Sequence, residues 1–94
     1  MKIQILLFKN ELVLISKVEM MEVDQLSGEP DWELTDPVRI LCRDEEPDIS
    51  KRLVRWPDRD ITSSNTMSFY SDDILTIVEP HEHLVKAYED LIKE

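Results

Sequence analysis

A chain of 94 residues builds one domain around one modest core, near the size at which burial only narrowly outweighs chain entropy, so contacts between copies are expected to help. Hydrophobic residues make up 41% of the sequence and charged residues 34%, which argues against disorder, while 21 acidic against 11 basic side chains leave a formal charge of −10 that disfavours a general nucleic-acid binder. The single cysteine, Cys42, excludes an intrachain disulfide and fits a reducing compartment.

Ile3 to Phe8 and Leu12 to Val18 are dense in branched residues, and the polar break Lys9-Asn10-Glu11 is short enough for a hairpin. The first run meets Lys9 and Glu11 too soon to span a membrane and lacks a small-residue cleavage site, so a cytoplasmic protein is expected. The second strand continues, by its alternation, through Glu19 to Val23. Gly28, Glu29-Pro30 and Asp36-Pro37 mark the next stretch as mostly turn, pinned to the core by Trp32 and Leu34. Val38 to Arg43 predicts a third strand, with Cys42 as a small buried hydrophobe, and Asp44 to Asp48 an exposed acidic loop. Leu53 to Trp56 is a short strand broken by Pro57, and Met67 to Tyr70 leads to a strand at Ile74 to Val78.

From Pro80 the period changes. Leu84, Val85, Tyr88, Leu91 and Ile92 form the stripe of an amphipathic helix whose first turn suits Pro80. The chain is thus mainly β, a small bent barrel of strands over roughly 2–79 with a C-terminal helix over roughly 81–93, in one domain covering 1–94.

Three groups of residues bear on function. His81-Glu82-His83 has metal-ligand residue types, but residues two apart on a helix point about 200° from each other, so no metal site is expected. Lys51, Arg52, Arg55 and Arg59 surround Trp56, a pattern able to grip phosphates and stack a base, although Asp48, Asp58 and Asp60 offset their charge. The strands Ile3 to Phe8 and Ile74 to Val78 would leave apolar edges that copies of the chain should cover, with Phe69, Ile74, Leu75 and Ile77 at the interface. The sequence shows no nucleophile elbow, one glycine is too few for a phosphate-cradling loop, and neither an enzyme nor a cofactor is expected.

Leu7-Phe8-Lys9-Asn10-Glu11-Leu12-Val13 is similar to the start of the first motif of the Sm-like (LSm) family, and Tyr70-Ser71-Asp72-Asp73-Ile74-Leu75-Thr76-Ile77 resembles the second. Through Gly28-Glu29-Pro30-Asp31, Leu34-Thr35-Asp36-Pro37 and the run Ile74 to Pro80, the chain also resembles Sm-like proteins encoded by T4-like cyanophages. The resemblance implies a strongly curved barrel, a phage origin with residence in host cytoplasm, and a homo-oligomeric ring of roughly five to seven subunits, a pentamer being favoured because acidic charge accumulates with each copy. Tyr70 and Ser71 stand where the family's uridine-gripping arginine and its glycine would be. The leading expectation is therefore a non-enzymatic assembly module. The alternative is an RNA-binding ring with a degenerate uridine pocket using Arg52, Arg55, Trp56 and Tyr70.

Overall fold

A computed structural model describes residues 2–20, 32–48, 51–57 and 60–93. Strands β1 (Lys2–Phe8) and β2 (Val13–Met20) form an antiparallel hairpin, in register from Lys2 opposite Val18 to Leu7 opposite Val13. Their link is tied by the Phe8 N–H donating to Leu12 O at 2.9 Å, the Glu11 N–H to Phe8 O at 3.1 Å and the Leu12 N–H to Asn10 Oδ1 at 3.2 Å. This closure holds Glu11 at φ 70°, the left-handed region in which a Cβ crowds the backbone.

Strand β3 (Trp32–Ile40) lies beside β2 and carries two short strands in succession on its far side. The first is β4 (Leu53–Arg55), opposite Val38 to Ile40, and the second is β5 (Thr66–Phe69), opposite Trp32 to Thr35. Strand β6 (Ile74–Val78) pairs with β1, giving the order β4-β3-β2-β1-β6 in one six-stranded antiparallel sheet. The protein is mainly β, as the composition and periodicity predict, and among the described residues its strands pair into one unclosed sheet.

Asp36-Pro37, expected in a turn, lies inside β3. The β2–β3 register shifts between Ile15 and Lys17, and the residue added to β3 forms a bulge at Asp36, whose φ is 53°. A proline without an N–H fits such a break in the ladder. The bulge also reverses the alternation. Trp32 and Leu34 pack with Leu6, Phe8, Leu14 and Val18, whereas Val38 and Ile40, on the same even spacing, join Ile15 and Leu53 on the opposite face. One strand therefore feeds two cores.

Helix α1 (Glu82–Ile92) covers the second face, burying Leu84 and Tyr88 with Ala87, Leu91 and Ile92 beside them. The first face curls over itself, bringing the Phe69 ring within 5.0 Å of Phe8 and 6.1 Å of Trp56. His81, extended at φ −65° and ψ 150°, is the N-cap, with the Leu84 and Val85 N–H groups donating to its carbonyl, so Pro80 precedes the helix and does not sit in its first turn. Strand β3 also stops at Ile40, because the Cys42 carbonyl accepts from the N–H groups of Glu45 and Glu46 in a tight turn. Cys42 is consequently exposed, not buried. The expected extension of β2 through Val23 and the turn around Gly28 lie outside the described residues.

Candidate functional site

Two strand margins define the most open part of the fold. Among the described residues β6 pairs with β1 alone, and on the opposite flank β4 and β5 each pair with β3 alone. Their outer N–H and C=O groups lack a strand partner, which is a template for another chain.

The four residues expected at an interface divide by the register of β6. Leu6 faces Ile77 and Leu7 faces Thr76, but Phe8 faces Ile74, so Leu75 is the extra residue of a bulge. Ile74 and Ile77 both turn inward and, with Phe69, pack against the first core. Leu75 instead points outward at 67% exposure, and Val78, which the sequence did not single out, is 41% exposed on the same strand. On the other flank Val54 of β4 is exposed. Apolar side chains thus accompany both free margins.

Among the described residues, Arg52, Arg55, Trp56 and Tyr70 do not line one common hollow. Arg52 Nε donates to Leu41 O at 2.8 Å, and Arg55 Nη2 donates to Leu91 O at 3.0 Å, where a cation meets a carbonyl of the last helical turn that also accepts the Lys93 N–H. Trp56 stacks on Phe69 at 27° and lies half-buried against the first core, so one face of its indole is taken. Arg55 and Trp56 share the wall of a cavity of about 20 Å³, Arg52 lines a separate groove, and Tyr70, 47% exposed, lines neither. Arg59 lies outside the described residues. A third hollow of about 270 Å³ opens at the mouth of the curled sheet, floored by Phe8, Leu12, Trp56 and Phe69 with Lys9 at its rim.

His81 and His83 stack with ring centroids 5.5 Å apart and 14° between their planes. The opposed directions expected of them fail because His81 stands outside the helix. Among the described residues no three metal-ligating side chains gather. Nearby, Glu79 accepts from Lys2 Nζ at 2.6 Å, and this bond holds its exposed carboxyl below the usual value.

A polar knot at the β3 bulge escaped the sequence reading. Ser16, fully buried, donates from Oγ to Thr35 O at 2.9 Å, and the Tyr88 hydroxyl donates to Asp36 O at 2.8 Å. Asp36 also receives Lys17 Nζ at 3.6 Å and Asn65 Nδ2 at 3.2 Å, while its N–H donates to Asn65 O at 2.7 Å. Burial pushes the Tyr88 phenol up to about 12, the Asp36 charge adds to it, and hydrogen bonds from the Lys17 backbone and Ser16 oppose it. The available signals were an Asp-Pro pair amid apolar residues and a tyrosine on the buried stripe of the helix.

Among the described residues no helix is long and apolar enough to cross a membrane. Residues 1–93 match a family model described as "Family of unknown function (DUF6561)". No curated protein matches the chain.

Proposed function

This chain belongs to DUF6561, and because that family carries no assigned function we propose, from the geometry, a non-enzymatic assembly module whose copies pair edge to edge into a cyclic homo-oligomer. The observation that carries the proposal is the open sheet, with the free margin of β6 on one flank and those of β4 and β5 on the other. Two different margins on one molecule make a head-to-tail joint, which closes into a ring when the rotation permits. The five residues of β6 against the four of a neighbour's β5 would add roughly four backbone hydrogen bonds, each contributing about 0.5–1.5 kcal/mol. Burial of Leu75 and Val78 adds to this. A neighbour's strand would also extend the unclosed sheet toward the barrel that the Sm-like resemblance implies. Rings of roughly five to seven copies fit the resemblance, and the charge of −10 carried by each copy favours the smaller number.

An RNA-binding ring has less support, because Arg55 is engaged with the Leu91 carbonyl and Trp56 with Phe69, while Arg52 lines a separate groove. Size-exclusion chromatography with light scattering tests the assembly. The expected result is a mass of roughly five to seven subunits, and a monomer for Leu75→Lys with an unchanged circular dichroism spectrum, since a lysine on an exposed edge blocks pairing without touching the core. A compact wild-type monomer at high concentration defeats the proposal. Fluorescence anisotropy with oligo-uridine at low salt is expected to show no binding at micromolar protein, and saturable binding there replaces the module with the RNA ring.

A further inference from the structure

Three of the chain's arginines line one groove. Arg39 at the end of β3, Arg43 in the following turn and Arg52 just before β4 line a groove of about 210 Å³, with Ile40 in its wall and Glu11 and Glu45 at its margin. Arg52 turns its Nε to Leu41 O, which leaves both Nη groups without a partner among the described residues. Arg43 is exposed and makes no ion pair or hydrogen bond among the described residues. Arg39 meets Glu45 at only 3.8 Å, too long for a hydrogen-bonded pair, while Cys42 Sγ donates to the same carboxylate at 3.3 Å.

We propose that this groove binds a compact phosphate-class oxyanion, free or as a small monoester, with Glu45 as the internal competitor that it displaces from Arg39. Guanidinium groups offer fixed pairs of N–H donors to oxyanions, and a tetrahedral phosphate, with more oxygens and more charge than a carboxylate, can meet three of them at once. The ligand must be compact. Glu11 and Glu45 line the groove, and Asp44, Glu46 and Asp48 lie in the same loop as Glu45 on an acidic molecule, so a polyanion laid across it meets repulsion that a small ion seated among the arginines escapes.

Isothermal titration of the full-length protein in a phosphate-free buffer at low ionic strength tests this, with inorganic phosphate, free phosphoserine and oligo-uridine as separate titrants. Saturable binding of phosphate or phosphoserine is expected, and whichever is tighter identifies the source of the group. Arg43→Gln should weaken it about tenfold or more, the loss of a charge-assisted hydrogen bond. Glu45→Gln should tighten it several-fold, whereas Asp44→Asn, the same charge change in the same loop away from Arg39, should tighten it less. Arginine side-chain NMR shifts in the wild type, confined to Arg39, Arg43 and Arg52, locate the ion independently of any variant. No saturation by about 10 mM titrant, equal affinity for Arg43→Gln, a Glu45→Gln effect no larger than that of Asp44→Asn, shifts elsewhere, or tighter binding of oligo-uridine each overturns the proposal.

Discussion

Replacing Tyr88 by phenylalanine tests whether the helix is fastened to the sheet through the bulge. The ring stays, so packing against Ile15, Val38 and Leu53 is kept, and only the hydroxyl that donates to Asp36 O is lost. Leaving that carbonyl without its donor should cost about 1–3 kcal/mol at neutral pH, a large share of the stability of a domain this small. The pH dependence is more diagnostic. The folded phenol titrates at about 12 against an ordinary 10.0, so between these values the unfolded chain releases a proton that the folded chain retains. Stability from this group is therefore complete below pH 10 and falls as pH rises toward 12, by up to about 1.4 kcal/mol per pH unit and about 2–3 kcal/mol in all. The variant lacks this loss. Urea unfolding followed by circular dichroism at pH 7, 9, 10.5 and 11.5, at one protein concentration, should show wild type well above Tyr88→Phe at neutral pH and the gap closing above pH 10. Tyr70 and the lysines are common to both proteins and cancel. Parallel decline of the two, or equal stability at pH 7, refutes the latch.

Glu11→Gly should raise stability by about 0.5–1 kcal/mol, because relief of roughly 1–2 kcal/mol of left-handed strain is offset in part by the greater chain entropy of glycine; a lower thermal midpoint contradicts this. Raising salt from low to physiological ionic strength should tighten the proposed ring by screening repulsion between acidic copies, and dissociation seen by light scattering would mean that attraction between charges holds it. Glu79 titrates below its ordinary 4.5 in the folded state because of Lys2, so its contribution is present above pH 4.5 and is lost as pH falls through the lowered value. Glu79→Gln should therefore flatten the acid limb of the stability curve, which a urea series between pH 6 and 3 measures.

The sequence by itself determined the elements whose cause is local. The apolar runs on either side of Lys9-Asn10-Glu11 dictated the hairpin, the branched residues from Ile74 to Val78 their strand, and the stripe from Leu84 to Ile92 the helix, because side-chain period alone separates these states. What depended on partners distant in the chain was decided only by tertiary structure. Asp36-Pro37 has the local chemistry of a turn, yet Ser16, Tyr88, Lys17 and Asn65 together hold it as a bulge inside a strand, and that bulge sends the two halves of β3 into different cores. Arg52 and Arg55 look like a phosphate grip beside Trp56, but the fold parts them, turning Arg55 to the Leu91 carbonyl and Arg52 into a separate groove beside Leu41. The same holds for Leu75, which faces outward because a one-residue slip against β1 turned Ile74 and Ile77 inward, and for Arg39, Arg43 and Arg52, which share a groove because β3 and β4 are neighbours. Hydrophobic period carries a side chain's preference for burial, whereas its direction and its company depend on register, which no short stretch of chain specifies.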